Sequence, residues 1–245
     1  MSSTNMPSKR DEGLVLRQAA LIAGVAYLLM PVAYAEFHVF PTLLIPGHIE
    51  QTVENIATHR TLFIVGMLCH MVTLILDLLI AWALYVLLVP VNKALSLLGA
   101  WFRVVYTVIA LVSLFKLVTV FRLLTVPYFQ TLFGDQQLHA QVQLLLGSFR
   151  YEWAMSLVIF GIHLDLVGYL IFRSRYIPKV LGILLIVIGV GWVIYPLKPY
   201  LYPRAQIDFI PWAGFAELIF PLWLLIRGWK IQEPTPLEIG SPISR

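Results

Sequence analysis

A chain of 245 residues that is 60% hydrophobic and only 12% charged, with a mean hydropathy of +0.84, falls in the membrane class and leaves no room for a sizeable soluble domain. The net charge of +4 does not indicate nucleic acid, because the basic residues flank apolar runs and form no basic face with interleaved aromatics. Cys69 is the single cysteine, which excludes a disulfide framework, a thiolate zinc site and a CxxC redox pair.

Six apolar windows each reach the roughly 20 residues that a helix needs to cross the hydrocarbon core. None shows the alternation of a membrane barrel, so the expected fold is all-α, an integral membrane bundle of six transmembrane helices. A polar tail over residues 1–13 precedes the membrane domain, residues 14–230. The first window runs from Ala19 to Ala35. Ala33-Tyr34-Ala35 before Glu36 also fits a signal-peptide cleavage site, but the apolar run continues from Leu14 through Phe40, which favours a retained helix. Glu36 to Arg60 reads as a segment outside the membrane, and within it HIEQTVENIATHR has the period of an interfacial helix.

The second and third windows, Leu62 to Leu88 and Ala94 to Leu124, are joined by the short turn Val89-Pro90-Val91-Asn92-Lys93 and are therefore antiparallel neighbours. Leu144 to Phe172, Val180 to Leu197 and Phe209 to Ile226 complete the set, and Pro221 is expected to kink the last. The tail over residues 231–245, rich in Pro, Ser and charge, is expected to be disordered.

Basic residues in the short loops set the orientation. With the N-terminus in the cytoplasm, Lys9, Arg10, Arg17, Lys93, Arg173, Arg175, Lys179, Arg227, Lys230 and Arg245 lie inside, against Arg60, Arg122, Arg150, Lys198 and Arg204 outside. Ten against five favours both termini in the cytoplasm.

Three stretches are more distinctive than apolar composition: LYVLLVPVNKALSLLGAWFR (Leu84 to Arg103), HLDLVGYLIFRSRYIPKVLGILL (His163 to Leu185) and AELIFPLWLLIRG (Ala216 to Gly228). Together they resemble a family of bacterial multi-pass membrane proteins known as domain of unknown function 4386, and the likeness runs from about Arg17 to Trp229. The resemblance implies a bacterial inner-membrane protein of about six helices, with no activity to carry over. Asp77, Arg103, His163, Arg173 and Glu217 fall within the parts that look alike, whereas His70, Lys116 and Glu152 do not.

Ionisable groups at membrane depth cost about 2.5–3.5 kcal/mol each on insertion scales and usually turn inward to find partners. Helix rise sorts them into two layers. Asp77, Arg103, His163 and Asp165 fall in the inner half, His70, Lys116 and Glu152 in the outer half, and Glu217 near the middle. Asp77 and Arg103 stand equally far from the turn between their helices and are expected to form an ion pair. His70 and Asp77, seven residues apart, share a face, as do Glu152 and His163, whereas His163 and Asp165 point to nearly opposite faces.

No helix carries the i,i+4 chelating pair of an HExxH site, and His70 and His163 differ in depth by about 6–10 Å, which argues against bis-histidine haem. No metal and no cofactor are therefore expected, although zinc held by His163, Asp77 and Glu217 from three helices leaves no spacing to read. GxSxG, Walker A and GxGxxG motifs are absent. The two halves share no visible repeat, which counts against a transporter built from inverted halves. Gly161, Gly168, Gly182, Gly189 and Gly191 are read as close helix contacts.

The leading reading is an inner-membrane protein with a charge-lined interior that binds or moves a small amphiphile, ion or proton. An intramembrane, metal-dependent, lipid-directed enzyme and a structural accessory subunit are the alternatives. The expected partners are the lipid bilayer, a small amphiphile, ion or proton, and a second copy of the chain in a homodimer or a membrane partner protein; no nucleic acid is expected.

Overall fold

The computed structural model describes residues 9–231. The start of the N-terminal tail, residues 1–8, and the tail expected to be disordered from Gln232 onward lie outside the described residues. Six helical segments are long and apolar enough to cross a membrane, and no strand occurs among the described residues. The arrangement is that of a multi-pass membrane protein with an all-α fold.

Helix α1 (Lys9–Leu28) opens the first span and stops at Leu29-Met30-Pro31, where proline supplies no N–H to continue the ladder. The chain then resumes through a short helix (Val32–Tyr34), a π-helical turn (Ala35–Val39) and a last α turn (Phe40–Leu43). The first span therefore extends to Leu43, and Glu36 lies within it rather than in an outside segment. Helix α2 (Ile49–Thr58) follows and buries Thr52 and Ile56. It packs over the ends of the second, third and fourth spans and caps that end of the bundle.

The second span is α3 (Arg60–Leu88) and the third is α4 (Lys93–Thr125). The turn between them is fixed locally: Asn92 caps α4 by accepting from Leu95 N at 2.9 Å, and Ser96 Oγ donates to Tyr85 O at 2.8 Å. The fourth span is α5 (Asp135–Arg173) and the fifth begins as α6 (Lys179–Ile194). The sixth is broken into Ile210–Gly214, a 3₁₀ turn at Phe215–Leu218, and α7 (Ile219–Arg227). Pro221 sits in the first turn of α7. It has no N–H for the carbonyl of Glu217, and the preceding turn tightens to 3₁₀ at that point, which is the irregularity expected from the proline.

Each span packs on its neighbours in sequence, and the sixth returns to α1 and α6, so the six close into a ring. Arg17 Nε, which donates to Ile231 O at 3.0 Å, fastens the closure. The α5–α6 seam is made by glycines. A Cβ at Gly161 would lie 2.5 Å from Gly189 O, and one at Gly168 would lie 2.6 Å from Gly182 O. Two glycines seven residues apart on each helix thus let two antiparallel backbones touch, the small-residue packing that lipid favours because it offers no hydrophobic drive between helices.

Candidate functional site

The polar centre is built around Arg103, a fully buried arginine on α4. Nε and Nη2 both donate to Asp77 Oδ1 on α3, at 3.0 and 2.5 Å. Nη1 donates to Tyr27 Oη on α1 at 2.6 Å and to His163 Nε2 on α5 at 3.1 Å. Four of the five guanidinium N–H groups are therefore engaged, and a single residue ties four spans together. The guanidinium also lies over the Tyr27 and Phe160 rings, 4.9 and 5.4 Å from their centroids.

The tautomer of His163 follows from its partners. Nδ1 is 2.8 Å from Gly99 O, which can only accept, so Nδ1 carries the hydrogen. Nε2 is then free to accept from Arg103, which requires a neutral imidazole. Both ring nitrogens are occupied, and His163 has none to offer a metal.

The fifth and sixth spans complete the centre. Glu217, on the 3₁₀ turn, lies within electrostatic reach of Arg103 and Asp77, and the Trp192 indole stands beside it. Glu217 Oε2 and Trp192 Nε1 are nonetheless buried atoms without a hydrogen-bond partner. The indole N–H and the carboxyl thus stand side by side without a well-formed hydrogen bond between them, next to an arginine whose N–H groups are nearly all spent.

The remaining predicted residues go elsewhere. Asp165 turns away from His163 towards the glycine seam, where its Oδ1 crowds Gly189 and finds no partner. Lys116 and Glu152 pair with each other at 3.5 Å on the bundle surface, both about one-third exposed. Glu152 thus leaves the buried face that His163 occupies, and the two do not extend one interior stripe. His70 joins neither of them. It is fully buried among Phe40, Phe149 and Trp153, and its Nε2 meets Glu36 Oε1 at 3.0 Å.

Tyr27, Gly99, Trp192 and Glu36 are parts of these clusters that sequence reasoning did not single out. Three look like ordinary interfacial or packing residues. Glu36 was hidden because Glu36 to Arg60 reads as a segment outside the membrane, although the apolar run through Phe40 belongs to the first span.

The family described as domain of unknown function 4386 matches residues 22–228, which enclose every residue of the polar centre. The chain belongs to that family. It is 32% identical over 160 residues to an uncharacterized protein of Archaeoglobus fulgidus, a match covering 65% of this chain and 82% of that protein. No solved structure matches the chain. Among the described residues of this family member, no three His, Cys, Asp or Glu side chains are grouped to hold a metal ion.

Proposed function

We propose that the protein is a multi-pass protein of the bacterial inner membrane, with both termini cytoplasmic, that binds or moves a small amphiphile at Glu217 and Trp192. The excess of Lys and Arg in one set of short loops supports the orientation. One observation carries the ligand reading: Glu217 Oε2 and Trp192 Nε1 are neighbouring and buried, close enough to interact, yet neither reaches a hydrogen bond of good geometry. A buried polar atom left unsatisfied costs about 1–3 kcal/mol, and more when charged. A proton would remove the charge of the carboxyl but add an O–H donor that needs an acceptor, and it would give the indole nothing to donate to. A hydroxyl satisfies both, by donating to the carboxylate and accepting from the indole. An alcohol group on an apolar chain therefore fits better than an inorganic ion or a proton alone.

The broken sixth span supports an entry route beside Glu217. Irregular backbone at membrane depth is tolerated where protein buries it or a cavity lies alongside. Arg103 and Asp77 lie within electrostatic reach of the carboxyl.

Titration with 1-decanol, followed by tryptophan fluorescence in nanodiscs, tests the reading. Decanol is expected to change the emission of the parent protein and not that of Trp192→Phe, and Glu217→Leu is expected to weaken the response by about tenfold. A response that ignores both substitutions would remove the assignment. The role of structural accessory subunit draws support from Arg103 joining four spans, and it predicts loss of folding on substitution at Arg103 with no decanol response at all.

A further inference from the structure

The His70 cluster lies apart from the polar centre and has a different chemistry. His70 Nδ1 is 3.0 Å from Gly66 O, a carbonyl that can only accept, so Nδ1 carries a hydrogen. Nε2 faces Glu36 Oε1 at 3.0 Å. The contact closes in two ways only: an imidazolium donates to a carboxylate, or a carboxylic acid donates to a neutral imidazole. Both forms contain the same number of protons, with one proton on the Nε2–Oε1 line. When that proton leaves, a bare Nε2 lone pair faces a carboxylate and the hydrogen bond is lost.

Glu36 belongs to the π-helical turn, a form that appears mostly as single turns and often at functional sites. Its neighbours Val39 and Phe40 seat closely on α3. A Cβ at Gly66 would come within 3.0 Å of both side chains, so this glycine accepts the packing while its carbonyl orients His70. The His70 ring is completely buried, whereas the Glu36 side chain is 49% exposed. Exchange with the surroundings therefore runs through Glu36. The other contacts of His70 are the rings of Phe40, Phe149 and Trp153, which leaves Glu36 as the ionisable side chain touching it. On the elements packed around it, Lys116 of α4 and Glu152 of α5 are paired with each other, and His38 of the same turn is exposed beside Tyr34.

We propose that Glu36 and His70 form a one-proton binding site that holds residues 32–43 against α3, and that loss of this proton through Glu36 releases the segment. The seated state carries the bridging proton, so seating is complete at lower pH and is lost as pH rises. The site is independent of the ligand reading at Glu217.

Hydrogen–deuterium exchange of the full chain in phosphatidylcholine nanodiscs, corrected for the intrinsic pH dependence of exchange, reads the seating directly. Protection of residues 32–43 is expected to fall on the order of tenfold to a hundredfold between acidic and alkaline pH, the effect of one charge-assisted hydrogen bond. Glu36→Gln is expected to abolish this dependence, because its amide N–H donates to the bare Nε2 at any pH. Protection that is flat with pH in the parent chain, or that falls equally in Glu36→Gln, would overturn the proposal. If Glu36→Gln does not fold, ¹⁵N spectra of the parent chain decide: the His70 Nε2 signal must change over the same pH range as the protection, and a signal that stays constant there rejects the site.

Discussion

Two nitrogens of Arg103 converge on one oxygen of Asp77, at 3.0 Å from Nε and 2.5 Å from Nη2, in a place where both side chains are almost wholly withdrawn from solvent. Such a pair cannot relax into water when it is broken. Removing one partner from a buried pair costs about 3–5 kcal/mol, whereas replacing both by apolar residues is often close to neutral. Asp77→Leu and Arg103→Leu should each lower the thermal stability in detergent, and the double substitution should recover much of the loss. Single losses that simply add would show that the two side chains are not coupled.

His163 bridges the same arginine to the Gly99 carbonyl. His163→Leu leaves an N–H of Arg103 without a partner and removes the second hydrogen bond to a carbonyl that its own helix still satisfies, so it should destabilise by about 1–3 kcal/mol, the cost of one unsatisfied buried group. ¹⁵N spectra of the parent chain should show the Nδ1–H tautomer. An Nε2–H tautomer would contradict the donor assignment to Arg103.

The glycine seam makes a steric prediction with its own control. Gly168→Ala pushes a methyl to 2.6 Å from the Gly182 carbonyl, and the helices must part. A loss of about 1–3 kcal/mol is expected from overpacking. Gly147, on the same helix, has nothing within 4 Å of an added Cβ, so Gly147→Ala should be neutral or should stabilise by up to about 1 kcal/mol through helix propensity. Equal thermal shifts for the two variants would mean that α5 and α6 are not in backbone contact.

The Lys116–Glu152 pair should behave unlike the buried one. Both side chains are about one-third exposed at the bundle surface, where lipid surrounds a span and exposed charge is unfavourable. Replacing both by Leu should leave thermal stability unchanged or raise it. A loss as large as that of Asp77→Leu would indicate that this face is covered.

The proposed orientation can be checked in intact cells after Cys69→Ser. A cysteine at the exposed Glu50 of α2 should react with a membrane-impermeant maleimide, and one at the exposed Lys93 turn should not. The reverse pattern would invert the topology.

Length, composition and the positions of charge determined the six spans and the all-α class, and three specific stretches carried the family likeness. Counting helix rise from the Val89–Lys93 turn also put Asp77 and Arg103 at one depth, because 1.5 Å per residue is a property of every α-helix. Rotation about the helix axis was a different matter. In water an amphipathic stripe shows which face turns inward, but here lipid and core are both apolar and the stripe disappears. Lys116 and Glu152 could therefore turn outward to each other while His70 turned inward, although helix rise puts all three in one layer. Asp165 could face the glycine seam two residues from a histidine at the centre. Glu36 met His70 only because the first span breaks at Pro31 and resumes through a π turn, a departure from regular helix geometry that no residue count contains. Depth was local arithmetic; facing was decided by how six apolar helices closed their ring around the polar groups that had to find one another.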